Sequence, residues 1–367
     1  MYYYFNLQSL IDDGLSEMNF SDEDPACILV DNDLRVIGNK KAYVEALSSN
    51  ARYIKGKRLN LNSENPPFPQ SVGIEISSQC NYQCKMCPRR KLTRPSINMD
   101  PGIFYKVVDE IRHYDIKMLG LYRLGESLKH PQFFDFLNYI GRFDSLRNTF
   151  LSTNGGLLTE KVIGKLLSSS LKFLNISMNA LDRETYQLIT GRDHFDKVLT
   201  ISRSIKKLKI KRTPFISFQF LEQDVTFGQV EKFVEEYIEY ADFVENSVLE
   251  DFGGQLTDNA KFLESSRYAN IDSGPRPCPR SKSGHALIYS NGDVVPCICD
   301  INAQYIKVGN INTSSLKDMY EGEAWTSFRK MHEERAFADH PLCGKCRDRL
   351  IFDLSKTRDK KLTSAKS

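Results

Sequence analysis

Cysteine is the residue type of this 367-residue sequence best able to do chemistry, and eight of the nine cysteines fall into two groups. One group begins at Cys80 and the other at Cys278, while Cys27 stands alone. A disulfide framework is typical of short secreted chains. The sequence does not open with the basic segment and apolar run of a secretory signal, so we expect a cytoplasmic protein whose clustered thiols bind metal.

The first group has the spacing C-x3-C-x2-C, formed by Cys80, Cys84 and Cys87 directly after a predicted strand. Protein-bound iron–sulfur cubanes normally have four cysteine ligands. Three thiolates in one short loop would leave one iron open to a substrate or cofactor, much as an open position marks a catalytic zinc. A structural zinc loop and a set of buried thiols are the alternatives.

The elements that must position this loop alternate between strand and helix. Predicted strands cover residues 72–77, 117–122, 149–152, 171–177, 214–221 and 243–249. Helical patterns lie between them, which predicts a parallel sheet with right-handed crossovers. Six such units are fewer than the eight of a closed barrel. We therefore expect an α/β fold, a partial (β/α)6 TIM-like barrel, with a small C-terminal β-hairpin-plus-helix domain.

The second cysteine group offers four thiolates, enough to close a metal site. These are Cys278, Cys297, Cys343 and Cys346. Asn291 and Gly292 predict a hairpin turn before Cys297, and a predicted helix over residues 316–336 returns the chain to the C-x2-C pair. The spacing alone fits an iron–sulfur cluster or a zinc ribbon. Cys299 is an alternative to Cys297 as a ligand.

The first cysteine spacing and three later motifs resemble the radical S-adenosylmethionine (radical SAM) superfamily. Residues 124–127 (LGES) are similar to its Gly-Gly-Glu-Pro motif, residues 153–155 (TNG) to its Thr-Asn-Gly turn, and residues 176–179 (ISMN) to its Ser-x-Asp segment. Each motif follows a predicted strand, where ligands bind in parallel α/β folds. The resemblance implies that the cofactor is contacted by Gly125, Glu126, Asn154, Ser177, Asn179 and Arg192.

Two of these motifs carry expectations of their own. Leu124 and Ser127 depart from the family pattern, but Gly125 and Glu126 remain to bind the amino group of the cofactor. Ser177 and Asn179 are two residues apart, so on a strand they would point the same way. Asn179 stands where the family has Asp.

The resemblance also implies the cofactors, which are S-adenosylmethionine and two 4Fe–4S clusters. Cys80, Cys84 and Cys87 would hold the cluster that binds S-adenosylmethionine. The second group would hold an auxiliary cluster of the short "twitch" type of SPASM extension, since Phe352 stands where the full form has a further cysteine. Such enzymes cleave the cofactor to a 5′-deoxyadenosyl radical that removes hydrogen from a substrate, and an external electron donor such as flavodoxin or ferredoxin is implied.

An auxiliary cluster with four protein ligands can accept an electron from a substrate radical. We therefore expect oxidation of a secondary alcohol on a small-molecule cyclitol or sugar, as in the twitch-bearing cyclitol dehydrogenases of this family. The proton acceptor remains open among four candidates, which are His130, Arg123, Tyr122 and Glu222. The side chains expected to face the substrate are Gln219, Glu222, Glu250 and Asp251.

Two other functions stay open. A peptide-modifying maturase would often carry a winged-helix domain that binds a leader peptide, and residues 1–70, with a predicted hairpin around residue 32 and a helix over residues 41–47, fit that poorly. A non-catalytic iron–sulfur or zinc protein needs no cofactor pocket, so the Gly-Glu and Ser-x-Asn motifs argue against it.

Composition narrows the partners and the organisation. The net charge of +3 gives little electrostatic support for nucleic-acid binding. No run of 18 apolar residues occurs, so we expect no transmembrane helix. We predict an N-terminal extension (1–70), the barrel (71–250), an auxiliary-cluster domain (251–355) that starts with a linker, and a disordered tail (356–367).

Overall fold

The computed structural model describes residues 2–12, 28–30, 36–38, 40–57, 65–209, 214–265 and 277–347. Its strands are β1 (Tyr2–Asn6), β2 (Ile28–Val30), β3 (Val36–Gly38), β4 (Tyr53–Lys57), β5 (Ser71–Ile74), β6 (Met118–Leu121), β7 (Thr149–Thr153), β8 (Phe173–Ser177), β9 (Phe215–Glu222), β10 (Phe243–Val248), β11 (His285–Ile288), β12 (Asp293–Val295) and β13 (Gly309–Asn310). Its helices are α1 (Leu7–Asp12), α2 (Lys40–Ser48), α3 (Pro101–Ile111), α4 (Phe133–Ile140), α5 (Glu160–Leu167), α6 (Arg183–Thr190), α7 (Phe195–Leu208), α8 (Val230–Tyr237), α9 (Thr257–Ser265), α10 (Leu316–Glu321) and α11 (Glu323–Glu333).

Six consecutive parallel strands, β5 to β10, form the centre of the sheet in chain order. Helices α3 to α8 lie between these strands along the chain. The predicted partial (β/α)6 barrel is therefore confirmed. Each predicted strand agrees with an observed one to within a few residues, because apolar runs bounded by polar turns fix both the type and the place of these elements.

Helix α3 shows how the sequence builds one crossover. The Asp100 side chain accepts a hydrogen bond from Gly102 N at 2.7 Å, and Pro101 occupies the first helical position. The buried face of the helix carries Phe104, Val107, Val108 and Ile111 against the sheet. The helix thus buries the stripe that the 3.6-residue period predicts.

The sheet continues beyond both edges of the barrel. On one side β11 pairs with β5 in parallel, and β12 and β13 follow in antiparallel pairs. On the other side β1 pairs antiparallel with β10, and β4 forms the outermost strand. The predicted hairpin at Gly292, whose φ is 86°, is confirmed, and its first strand joins the barrel sheet directly.

The sequence-based element boundaries need two corrections. The linker expected from residue 250 contains helix α9, because Gly253 and Gly254 precede a segment that has helical spacing of its own. The single helix expected over residues 316–336 is two helices separated at Gly322, whose backbone is extended. The short N-terminal hairpin β2–β3 and helix α2 agree with expectation. Cys27 and the predicted tail lie outside the described residues.

None of the described helices is both long enough and apolar enough to cross a membrane.

Candidate active site and metal centres

The C-x3-C-x2-C loop leaves the carboxyl end of β5. Its three cysteines are half-buried, and Cys87 N donates to Cys84 O at 3.1 Å, which turns the loop back on itself. Burial raises the pKa of the Cys80, Cys84 and Cys87 thiols above their ordinary values. Three desolvated thiols in one turn are the donor set of a thiolate-bound metal, since metal binding takes the proton from each sulfur.

Neighbouring strand ends hold this loop in place. The Asn154 amide, after β7, donates to Asn81 Oδ1 at 2.9 Å and approaches Cys80 Sγ at 3.6 Å. Arg192, after α6, donates from Nε to Asn81 O at 2.9 Å. Asn154 and Arg192, both predicted from the sequence to contact the cofactor, therefore both lie against the cysteine loop. In the structure their hydrogen bonds go to atoms of this loop.

Tyr82, within the same loop, anchors it through its buried hydroxyl, and this residue was not identified from the sequence. Its hydroxyl lies 2.8 Å from the Tyr186 hydroxyl and 3.2 Å from His194 Nδ1. Burial raises the pKa of Tyr82 to about 12, so the hydroxyl stays protonated as a hydrogen-bonding group. The available signal was a large aromatic residue between two candidate metal ligands.

Gly125 and Glu126 lie against the start of the cysteine loop. A Cβ on Gly125 would lie 1.8 Å from Ser77 O, so only glycine permits this approach between the two strand ends. Glu126 N donates to Gln79 O at 2.8 Å in the same contact. The Gly-Glu pair is thus held at the residues that lead into Cys80.

The surroundings of the Glu126 carboxylate indicate whether this end of the sheet fits S-adenosylmethionine. It is 2% exposed and accepts from Thr153 Oγ1 and Asn154 N, both at 2.9 Å, and from Leu128 N at 3.3 Å. Burial raises its pKa, which these hydrogen bonds oppose. In the described part of the chain no cationic side chain pairs with Glu126. A buried carboxylate with only neutral partners, beside three thiols, suits a ligand that carries an ammonium group.

Ser177 and Asn179 do not act as one pair. Strand β8 ends at Ser177, and Asn179 has a φ of 58°, so the expectation that both point the same way along a strand is wrong. Asn179 Oδ1 accepts from Leu221 N at 3.0 Å, which assigns its side chain to the end of β9. Ser177 instead donates to Gln219 Oε1 at 2.8 Å.

The cysteines of the second group lie near one another in the structure. Four of its buried thiols pack in one cluster, and these are Cys297, Cys299, Cys343 and Cys346. Cys278 lies within electrostatic reach of Cys297 and Cys346. Cys299 is fully buried and its backbone N donates to Cys297 Sγ at 3.4 Å, so five thiols compete for this site. The alternative between Cys297 and Cys299 therefore remains.

Arg123 connects the two cysteine groups. It follows β6, and its Nη2 donates to Ile298 O, the carbonyl between Cys297 and Cys299. Its positive charge is also among the groups that oppose the burial-driven rise in the Cys87 pKa. Burial disfavours the Arg123 cation, but Tyr289, Glu75 and Glu250 outweigh that effect and raise its pKa, so it remains charged.

A buried ion pair makes a second connection. Arg94 Nη1 and Nη2 lie 2.5 and 2.6 Å from the two Glu75 oxygens, with side chains 4% and 0% exposed. Glu75 also accepts from Ser290 Oγ at 3.2 Å and Leu124 N at 3.4 Å, and Arg94 Nε donates to Ile301 O at 2.9 Å. One salt bridge thus joins β5, the Gly-Glu segment and the hairpin of the second group.

The proton-acceptor candidates are mostly occupied by structural contacts. His130 is buried, with Nε2 3.0 Å from Met99 O and Nδ1 accepting from Gln132 N at 3.1 Å, so its ring faces the main chain on both sides. Glu222 accepts from Gly228 N at 3.0 Å. Asp251, which was expected to face the substrate, likewise accepts from a backbone group, Gly253 N, at 3.0 Å. Arg123, a cation, is suited to orient a hydroxyl rather than to take its proton.

A single zinc ion needs thiolate sulfurs about 2.3 Å from one point. Within the described ranges, no three His, Cys, Asp or Glu side chains are grouped as ligands of one metal ion. The iron and zinc content of the protein would distinguish a cluster from a single zinc ion directly.

Comparison with known proteins identifies both cysteine regions. Residues 74–236 match the radical SAM superfamily model, and residues 278–347 match the SPASM model, described as an iron–sulfur cluster-binding domain. The two matches cover more than half of the chain, and each includes one of the cysteine groups.

Curated relatives and solved structures agree with these models. The chain is 24% identical over 277 residues to an S-adenosyl-L-methionine-dependent 2-deoxy-scyllo-inosamine dehydrogenase of Niallia circulans (75% of this chain, 91% of the relative). It is 23% identical over 325 residues to a Pyrococcus furiosus protein named as a cofactor-modifying protein of tungsten-containing aldehyde ferredoxin oxidoreductase (78% and 89%).

Two solved structures share the fold at low sequence identity. BtrN in complex with AdoMet and 2-DOIA has a TM-score of 0.52 and 21% identity, covering 76% of this chain and 92% of that chain. Streptococcus suis SuiB bound to its precursor peptide has a TM-score of 0.56 and 13% identity, covering 88% and 79%. The chain belongs to the radical SAM superfamily and is an enzyme whose cofactors are S-adenosylmethionine and 4Fe–4S clusters, with a C-terminal SPASM-type domain.

Proposed function

We propose that this enzyme oxidises a secondary alcohol of a cyclitol or sugar to a ketone. The observation that carries the proposal is Arg123, a buried cation that contacts the Ile298 carbonyl of the second cysteine group and lies within electrostatic reach of Cys87 in the first. A substrate beside Arg123 would have both groups as neighbours. Removal of hydrogen at one group and of an electron at the other then needs no movement of the substrate.

The proposed ligands follow from the two sites described above. Cys80, Cys84 and Cys87 would hold the cluster that binds the cofactor, with Gly125 and Glu126 beside its amino group. An auxiliary cluster would be held by four of the five cysteines of the second group, with Cys297 favoured over Cys299. The proposed auxiliary ligands are Cys278, Cys297, Cys343 and Cys346.

The oxidation is balanced by three removals from the alcohol. A carbinol gives a ketone by losing one hydrogen atom from carbon, one proton from oxygen and one electron. When bound at a reduced cluster, S-adenosylmethionine supplies the 5′-deoxyadenosyl radical that accepts the hydrogen atom. Arg123 would donate a hydrogen bond to the substrate oxygen and orient it, the auxiliary site would take the electron, and the hydroxyl proton would pass to solvent water.

The substrate class is supported by a polar row inside the barrel. Ser177 Oγ donates to Gln219 Oε1 at 2.8 Å, Gln219 Nε2 to Ser247 Oγ at 2.9 Å, and Ser247 Oγ to Glu245 Oε1 at 2.6 Å. Phe218 and Phe220 alternate with these residues on β9 and pack against α8 on the opposite face. Barrel interiors are usually filled by branched apolar residues, so a hydroxyl- and amide-lined interior suits a polyhydroxylated ligand.

The test is 5′-deoxyadenosine formation by the anaerobically reconstituted, reduced enzyme. A panel of cyclitols, sugars and sugar nucleotides would be compared with short peptides and tRNA, with the Cys84→Ala variant as control. Stimulation by one carbohydrate, together with a product lighter by two hydrogen atoms, supports the proposal. Stimulation by peptides alone would reject the alcohol substrate in favour of a peptide-modifying function. The external electron donor, such as flavodoxin or ferredoxin, would be the same for either function.

A further inference from the structure

Arg280 places a buried positive charge against the second cysteine group. It lies two residues after Cys278, and its Nη1 is 3.5 Å from Cys299 Sγ and 4.0 Å from Cys297 Sγ. Its Nη2 donates to Glu250 Oε1 at 2.8 Å, and the two side chains are only 13% and 19% exposed. One guanidinium therefore divides its donors between a carboxylate and the sulfurs of the metal site.

Hydrogen bonds and charges near the sulfurs set the reduction potential of a thiolate-bound cluster. Reduction adds one negative charge to the cluster, so a nearby cation favours the reduced form. Inside a protein such interactions are stronger than in water, because little solvent screens them. Glu250 acts in the opposite direction, since its negative charge offsets part of the Arg280 charge while holding the guanidinium in position.

We propose that Arg280 and Glu250 tune the reduction potential of the auxiliary cluster, with Arg280 favouring reduction and Glu250 limiting that effect. Arg280 is thus a positioning residue that acts through the cluster and not on the substrate. Its geometry reaches both Cys297 and Cys299, so the effect does not depend on which of them is the ligand. The inference rests on the proposed auxiliary cluster but not on the alcohol substrate.

The two residues make opposite predictions. Arg280→Gln is expected to lower the ratio of reduced to oxidised auxiliary cluster at a fixed potential about tenfold, which is about 59 mV for one electron. Glu250→Gln is expected to raise the same ratio. Arg280→Lys keeps the positive charge but not the planar, forked donor geometry of the guanidinium, so its ratio is expected to lie between those of Arg280→Gln and the wild type. A purely structural role would not give shifts of opposite sign.

The measurement is a redox titration followed by electron paramagnetic resonance, without substrate. The full chain would be titrated with both clusters, and again with Cys80, Cys84 and Cys87 replaced by alanine so that the auxiliary signal is isolated. Lys209→Gln is the matched control, because Lys209 forms an equally buried pair with Asp242 (11% and 15% exposed) that contacts neither cysteine group. Its auxiliary potential is expected to equal that of the wild type.

Several results would overturn the inference. Shifts of the same sign in Arg280→Gln and Glu250→Gln, or no shift with iron content intact, would show that the pair does not tune the cluster. Loss of auxiliary iron from both variants would show that the pair assembles the site instead. Zinc in place of iron would remove the auxiliary cluster itself, whereas normal opposite shifts without any carbohydrate activity would leave this inference standing and reject the alcohol substrate.

Discussion

Arg94→Met is expected to be among the most destabilising single changes outside the apolar core. The substitution leaves the Glu75 carboxylate, 0% exposed, without the two charged donors that lie 2.5 and 2.6 Å from its oxygens. It also removes the bond from Arg94 Nε to Ile301 O and the guanidinium that lies 4.0 Å above the Tyr289 ring. Breaking a buried ion pair from one side costs about 3–5 kcal/mol.

The assay is anaerobic denaturant unfolding of the cluster-loaded protein, followed by circular dichroism. The double variant Glu75→Gln/Arg94→Met is expected to lose less free energy of unfolding than Arg94→Met alone, because no orphaned charge remains. Arg183→Met provides the matched control. Its pair with Asp196 is more than half exposed, so water already screens it and stability should not change measurably.

The outcome bears on how the two cysteine groups are kept in register. Glu75 contacts Leu124 N beside the Gly-Glu segment and Ser290 in the hairpin before Cys297. If Arg94→Met costs no more than Arg183→Met, the pair is not a structural connection and the reasoning from burial is refuted. If Arg94→Met and the double variant lose equal free energy, the cost lies in lost packing on Tyr289 and not in the unpaired charge.

Further predictions concern metal content and cofactor binding. Cys84→Ala should abolish cofactor cleavage and lower iron from roughly eight to four atoms per chain, and Cys343→Ala should also halve the iron, as measured by elemental analysis; unchanged iron with lost zinc would contradict the second cluster. Cys297→Ser should lower iron more than Cys299→Ser, and the reverse order would exchange the two as ligands. Gly125→Ala should weaken S-adenosylmethionine binding about tenfold by calorimetry, because its Cβ would overlap Ser77 O and displace the loop; unchanged affinity would show that this approach is not needed.

The sequence predicted the barrel well because its information is local. Each strand from β5 to β10 is a short apolar run, and each crossover helix carries a stripe at the helical period, so no distant contact is needed to recognise them. The attachment of β11 to β5 is different. Ala286 pairs with Val72, which is more than half of the chain away in sequence, and no local pattern in either segment predicts that the two strands pair.

The sites divide in the same way. Cysteine spacing located both groups, since ligand spacing is itself a local pattern. The role of Asn179 was misjudged because its left-handed backbone and its bond to Leu221 N follow from how β8 ends beside β9. Glu75 and Arg280 were missed, although a signal existed. A glutamate inside an otherwise apolar strand and an arginine two residues after a ligand cysteine are both costly to bury without a specific partner.

The buried carboxylates at this end of the sheet differ in whether a cation is paired with them. Glu75 is paired with Arg94 and Glu250 with Arg280, so the protein itself balances their charges. Among the described residues, Glu126 receives hydrogen bonds from neutral donors alone, namely Thr153, Asn154 and Leu128, and burial raises its pKa. An anion prepared by hydrogen bonds but not by a cation is stabilised further by a positively charged ligand, and the amino group of S-adenosylmethionine has that charge. The second cysteine group shows the opposite arrangement, in which the protein supplies positive charge. Arg123 contacts the Ile298 carbonyl there, and Arg280 contacts the sulfurs of Cys297 and Cys299. At the proposed auxiliary cluster the charge to be stabilised would be the negative charge of thiolates and of an added electron, and these arginines would supply the cations.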